Sequence, residues 1–300
     1  MSKTKAWVHA FRLRTLPLAL SNIFLGSLLA AADGKFSIKI FLLASLTTLF
    51  LQILSNLAND LGDSVSGADN ENRLGPERAV QSGVISKKEM IRMVFVFALL
   101  SLTAGLFLLW EALQLLSYTQ AFVMLGLGLL AIAAAINYTV GNNPYGYNGF
   151  GDLFVFLFFG LTGVVGCYFL HTGDVNWSIL LPATSVGLLS VGVLNLNNMR
   201  DIENDSNSGK RTLVVKIGSE KAKKYHLFLI GFAILSACAY VLIHWNSIYQ
   251  LLFLISLPLL LKHIYVVAKN KVAQELDPEL KKLALSTLLF SLSFGLGLLL

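Results

Sequence analysis

Charge is scarce in this chain. Only 13% of its 300 residues are Asp, Glu, Lys or Arg, roughly half the share usual in a soluble domain. With 55% apolar residues and a mean hydropathy of +0.69, there is too little polar side chain to cover a water-facing surface. That excludes a soluble enzyme and a disordered tail. Cysteine is almost missing: Cys167 and Cys238 each sit inside an apolar run, with no CxxC and no Cys/His cluster at zinc spacing. A disulfide scaffold and a zinc site are excluded, and both thiols read as small buried hydrophobes. In/out alternation is absent and the apolar runs are too long for strands, which excludes a lipid-embedded barrel. No small-residue cleavage site follows the first apolar run, although Lys3, Lys5, Arg12 and Arg14 precede it, so this run reads as an uncleaved first span.

What is present is a series of long apolar stretches. A membrane-crossing helix needs about 20 largely apolar residues. The qualifying stretches are Leu16–Ala32, Ile38–Leu57, Met90–Trp110, Ala121–Tyr138, Phe150–Leu170, Trp177–Asn197, His226–His244, Ile248–Val267 and Leu280–Leu300. Small-residue pairs such as Gly160/Gly163 and Gly295/Gly297 let helices approach closely in lipid. The expected fold is therefore all-α: one membrane-embedded domain over 1–300, nine transmembrane helices bundled around a cavity open to the cytoplasmic face.

The net charge of +6 matters less than its placement. Short, base-poor connections alternate with a second set, the long basic loops 58–89 and 198–225 together with 268–279 and the uncharged segment 139–149. With the N-terminus in the cytoplasm, every Lys and Arg except Lys35 and Lys39 falls on that side. The positive-inside rule then places the N-terminus in the cytoplasm and the C-terminus outside a cell inner membrane. The basic balance is membrane anchoring and implies no nucleic acid. Residues 5–12 read as a short amphipathic helix on the cytoplasmic surface, and Pro17 suits the first turn of the first span.

Two Asn/Asp motifs stand at the cytoplasmic ends of spans. One contains Asn59, Asp60 and Asp63; the other contains Asn197, Asp201 and Asp205. The second set is spaced i, i+4, i+8, on one face of a continuous helix. Glu203 and Asn204 then point away. Stacked carboxylates repel, and a cation removes that cost. Hard oxygen donors of this kind suit Mg²⁺, which takes one or two carboxylates and completes its shell with water and phosphate. An ordinary polar helix end explains one motif about as well, but two matched motifs roughly 140 residues apart argue for a shared site. Base follows each: Arg73 and Arg78 after the first, Lys210 and Arg211 after the second. Metal ligands followed by cations are what a diphosphate ester requires. Lys216 to Lys224 read as anchors, and Arg12 and Arg14 divide between anchoring and substrate contact.

Asn-Asp-x-x-Asp in one loop, Asp-x-x-x-Asp in another and nine spans together resemble the UbiA-type intramembrane prenyltransferases over the whole chain. Further segments are similar to one branch, the 1,4-dihydroxy-2-naphthoate polyprenyltransferases of menaquinone synthesis. These are Arg12–Pro17, Leu54–Asp60, Arg73–Pro76, Tyr138–Asn142, Pro144–Tyr147, Gly149–Asp152 and Asn197–Asp201. The resemblance implies transfer of a polyprenyl chain from its diphosphate to the naphthoate ring with loss of CO₂. It implies Mg²⁺ held by Asp60, Asp63, Asp201 and Asp205, with Asn59 and Asn197 completing the shells. Arg78, Lys210, Arg73 and Arg211 would contact diphosphate, and Arg14 and Tyr138 the aromatic acceptor. 4-Hydroxybenzoate is the alternative acceptor, and a cation transporter the alternative class. The chain departs from the family twice. Gly67 stands where many members carry a third Asp, the nearest acid being Asp69. No Lys or Arg follows Tyr138 before the fifth span.

Overall fold

The computed structural model describes residues 2–67, 74 and 78–300. These are helical almost throughout, with no strand among them. A short helix, α1 (Lys3–Ala10), leads into α2 (Leu16–Ala32) and α3 (Ile38–Ser66). Then follow α4 (Lys87–Ala112), α5 (Tyr118–Asn137), α6 (Gly151–Thr172) and α7 (Trp177–Arg200). Two short helices, α8 (Ile202–Asn207) and α9 (Leu213–Ile217), precede α10 (Ser219–Ile243), α11 (Ile248–Lys269) and α12 (Ala273–Leu299). All nine expected spans are present among the described residues as helices long and apolar enough to cross a bilayer.

Local chemistry sets the ends. Ser86 with Glu89, and Ser117 with Gln120, form reciprocal capping boxes at the starts of α4 and α5. The N-terminal segment docks rather than floats: Ala6 and Ala10 are buried, and Phe11 meets Phe97 edge-on at 5.3 Å. One apolar cluster joins α1, α3 and α4 around Leu54, Leu57 and Met90. A second joins α2 to the later helices around Leu25, Leu189, Phe253 and Phe290. α5 stands at the rim, with only 6% of its apolar window buried, so its flanks face lipid.

The structure corrects two expectations about the motifs. The second span does not end at Leu57: α3 runs nine residues further, so Asn59, Asp60 and Asp63 lie on rigid helix rather than in a loop. It stops at Gly67, whose φ of +79° favours a residue without Cβ. A third Asp at this position would be strained, which accounts for the first departure. In the second motif the helix is kinked: α7 ends at Arg200, Asp201 leaves helical geometry at φ −97° and ψ 11° while still bonding Asn197 O and Asp205 N, and α8 starts at Ile202.

α6 is π-helical from Phe156 to Val165. Wide turns of this kind are frequent at functional sites. Here they bring Gly160 and Gly163 against neighbouring helices. A Cβ on Gly160 would meet the Gly187 Cα at 2.8 Å, and one on Gly163 would meet the Asn22 Nδ2 at 2.5 Å.

Candidate active site

A cavity of about 410 Å³ is lined by residues of α2 to α7. Its mouth is polar, lined by Asn59, Asp63, Arg78, Asn197, Asp201, Asp205 and Lys210. Away from that mouth the walls turn apolar, with Leu102, Gly105, Met124 and Gly128 reaching between α4 and α5. The two motifs, far apart in sequence, therefore face one space.

Each motif carboxylate holds a cation. Asp60 is 1% exposed and is paired with both Arg12 and Arg78. Its place is the wall of an adjoining groove beside α1, not the main cavity. Asp63 accepts from Arg78 Nη2 at 3.1 Å and pairs with Lys210 Nζ at 2.7 Å. Lys210 also stands 3.7 Å from Asp205, so one ammonium spans both motifs. Asp201 is held by Arg200, whose Nε and Nη2 donate to its two oxygens at 2.9 and 2.6 Å. The same guanidinium donates to Asn197 at 2.9 Å and to Asp277 at 2.5 Å.

The structure corrects several site expectations. Arg14 pairs with Asp277 at 3.1 Å and lines the adjoining groove, so it does not reach the cavity. Arg12 takes that position: it lines both spaces. It is also the one non-glycine among the described residues with positive φ, at 48°. Asn56 fixes this turn by donating to the Phe11 carbonyl at 3.0 Å and to Thr15 Oγ1 at 3.1 Å. Arg211 is exposed and contributes only its backbone N–H, to Tyr147 O at 2.8 Å. Asn204, expected to point away, is buried and lines the cavity because the kink at Asp201 rotates α8; Glu203 is exposed as expected. Arg73 and Asp69 lie outside the described residues.

Tyr138 lines the cavity and packs edge-on against Tyr145 at 5.4 Å. Tyr145 donates its phenol to the Ala134 carbonyl at 2.8 Å.

Four groups escaped the sequence reading. Tyr147 donates its phenol to Asp63 at 2.7 Å, and the Lys210 ammonium lies 4.7 Å from its ring centroid. The basic partner of this segment thus comes from the opposite loop, which accounts for the second departure. Asn22 is buried on the cavity wall, and its Oδ1 makes no hydrogen bond among the described residues. Arg200 was overlooked because adjacent residues on a helix do not face each other. Only the kink at Asp201 turns that carboxylate back. Asp277 has no motif around it and reaches Arg200 through the fold.

The donor set fits Mg²⁺. It consists of carboxylate and amide oxygens, with no thiol. No three of His, Cys, Asp or Glu among the described residues converge on one point. Mg²⁺ needs no such cage, since water and phosphate fill most of its octahedral shell. The arrangement can place metal and fixed cations around a diphosphate at the mouth of an apolar space.

Comparison with known proteins agrees with this geometry. The family model described as "UbiA prenyltransferase family" matches residues 19–286. A Haemophilus influenzae protein named 1,4-dihydroxy-2-naphthoate octaprenyltransferase is 45% identical over 99% of this chain and 96% of its own. An Escherichia coli (strain K12) protein of the same name is 42% identical over the same shares. Among solved structures, the apo UbiA homolog from Aeropyrum pernix K1 superposes with a TM-score of 0.68 at 18% identity, covering 96% of this chain and 98% of that one. The Archaeoglobus fulgidus UbiA homolog bound to GPP and Mg²⁺ gives 0.59 at 18% identity, with 96% and 99% covered.

Proposed function

We propose, since the chain belongs to the UbiA prenyltransferase family, that it transfers a polyprenyl chain from polyprenyl diphosphate to 1,4-dihydroxy-2-naphthoate with decarboxylation, in menaquinone synthesis. The observation that carries the chemistry is the pairing of two carboxylate motifs and their cations at the polar mouth of an otherwise apolar cavity. The choice of acceptor rests on relatives at 45% and 42% identity that carry that name, and on the branch-like segments.

Asp63, Asp201 and Asp205 would hold Mg²⁺, with Asn59, Asn197 and Asn204 supplying amide oxygens. Asp60 faces the adjoining groove and fixes Arg12 and Arg78. When bound, the metal would supply positive charge to the diphosphate. Arg78 and Lys210 neutralise what remains as the allylic C–O bond breaks and its electron pair leaves with pyrophosphate. This is stabilisation of a leaving group by fixed charges. The ring carbon bearing the carboxylate attacks the allylic cation. The bond to the carboxylate then breaks, its electron pair restores the ring, and CO₂ departs. Apolar walls keep water from the cation. Arg12, which lines the cavity, would hold the acceptor carboxylate, with Tyr138 beside the ring.

A cavity of about 410 Å³ holds a drug-sized ligand. A long polyprenyl tail has to leave it sideways, and the lipid-facing flank of α5 offers the route. The whole chain acts as one unit in a cell inner membrane, with the N-terminus and both motifs cytoplasmic.

The test uses membranes containing this protein, polyprenyl diphosphate and carboxyl-labelled naphthoate. Labelled CO₂ should appear in step with prenylated product. Prenylation of 4-hydroxybenzoate with its carboxyl retained, and no reaction with the naphthoate, would sink the acceptor assignment.

A further inference from the structure

We propose that metal and diphosphate enter this site as one charge-balanced unit, and that Lys210 is the residue that makes each depend on the other. This rests on the reading of the motifs as a metal–diphosphate site.

Among the described residues, the charges of the mouth and of the groove beside it come as opposed pairs. Asp60, Asp63, Asp201, Asp205 and Asp277 face Arg12, Arg14, Arg78, Arg200 and Lys210 in direct pairs. Asp60, Asp63, Arg78, Arg200, Asp201 and Asp205 are all buried. In a poorly hydrated site an uncompensated charge is costly, so addition of one sign alone is opposed. A divalent ion arriving alone must dislodge a paired ammonium or guanidinium and leaves the cluster positive. A diphosphate arriving alone draws the cations away and leaves buried carboxylates behind. Together the two nearly cancel, and every pair is replaced by another.

Lys210 is the cation that the geometry selects. Its ammonium is 2.7 Å from Asp63 and 3.7 Å from Asp205, one carboxylate from each motif. Its flexible stem can carry it from carboxylate to phosphate, whereas the Arg200 fork is fixed on Asp201. Lys210 thus opposes metal in the absence of diphosphate and favours diphosphate once metal has taken the acids.

A residue that only contacts phosphate would leave binding of the bare metal unchanged. The present assignment predicts the opposite sign. Mn²⁺ binding to the purified full chain would be measured by EPR, with and without inorganic pyrophosphate, at free-ion concentrations corrected for their association in solution. For the wild type, pyrophosphate should tighten Mn²⁺ about tenfold or more, within the usual range of site coupling. Lys210→Gln should bind Mn²⁺ alone more tightly than the wild type and should lose most of the pyrophosphate effect. Lys210→Arg keeps the charge and should retain the coupling. Lys216→Gln removes an equal charge from an ammonium that bonds Asn148 O instead, and should behave as wild type. Equal Mn²⁺ affinity with and without pyrophosphate in the wild type would overturn the proposal without touching the metal-site reading. Unchanged or weaker Mn²⁺ binding in Lys210→Gln would do the same. No Mn²⁺ binding under any condition would overturn both.

Discussion

Arg200→Lys isolates what the buried guanidinium does for the second motif. The Arg200 side chain is wholly buried and makes four hydrogen bonds, two to Asp201 and one each to Asn197 and Asp277. Lysine keeps the charge but offers a point rather than a fork, so it cannot grip both Asp201 oxygens and still reach Asp277. About two charge-assisted bonds disappear, each worth about 1.5–3 kcal/mol. Because a cation remains, the total loss should stay near 3 kcal/mol, at the lower end of the 3–5 kcal/mol expected when one partner of a buried pair is removed. At about 2 °C per kcal/mol for a chain of this size, the apparent melting temperature should fall by about 6 °C at a fixed scan rate. The functional effect should fall on metal use. Partners that orient a ligand carboxylate typically contribute 10–100-fold in affinity. Prenyl transfer in membranes, measured across a Mg²⁺ series, should show the half-saturating Mg²⁺ concentration raised about 10–100-fold, with kcat largely recovered at saturation. Arg200→Met should accumulate far less folded protein, since it withdraws the cation from two carboxylates at once. An unchanged Mg²⁺ requirement in Arg200→Lys with a depressed kcat would refute the orienting role.

The remaining predictions concern topology, packing and the acceptor. In a background lacking Cys167 and Cys238, an impermeant thiol reagent should label Asp174→Cys in intact cells and Glu203→Cys only after permeabilisation, both positions being exposed. The reverse pattern would invert the proposed orientation. Gly62→Ala should cost about 1–3 kcal/mol by overpacking and should displace Asp63, because a Cβ there would meet the Thr139 carbonyl at 2.5 Å. Normal stability and activity would show that the close approach of α3 to this segment is not needed. Gly67→Asp should lower the melting temperature by a few degrees, from strain of about 1–2 kcal/mol at positive φ, without improving the Mg²⁺ response. A tighter Mg²⁺ response would show that the position can serve as a third ligand. Asn22→Leu should raise the acceptor KM with little change for the prenyl diphosphate, since the Asn22 Oδ1 is a buried acceptor on the cavity wall. An effect confined to the diphosphate would contradict that placement.

The spans were legible because lipid imposes one simple requirement: a long apolar run with its backbone satisfied internally. Even so, α3 was cut short, since the run loses hydropathy at Asn56 while the helix continues to Ser66 on tertiary support. The motif residues were legible because carboxylate spacing on a helix is a local pattern. Their pairings were not. Arg200 turns onto Asp201 only because the helix kinks between them, and no local rule marks that kink. Asp277 reaches Arg200 across 77 residues of sequence, and Arg12 reaches Asp60 across 48. Arg14 looked equivalent to Arg12, two residues away, until the left-handed turn at Arg12 sent one guanidinium to the cavity and the other to Asp277.

That distribution of charge also decides between catalysis and cation transport. A transport path needs polar or charged groups through the membrane-spanning part of the cavity. Here the cavity carboxylates among the described residues, Asp63, Asp201 and Asp205, stand together at one end, each already matched by a cation. Deeper in, the walls offer only hydroxyls and amides such as Thr47, Ser101, Asn22 and Ser190 among aliphatic side chains. Ser101 and Ser190 turn their hydroxyls back onto the carbonyls of Phe97 and Val186, at 2.7 and 2.8 Å, and so have little to offer an ion. A bare cation leaving the acidic end would shed its carboxylates and meet no charged ligand among the described residues. An apolar chain whose diphosphate stays at that end meets the opposite situation: the head finds every charge it needs, and the tail finds a wall it can wet.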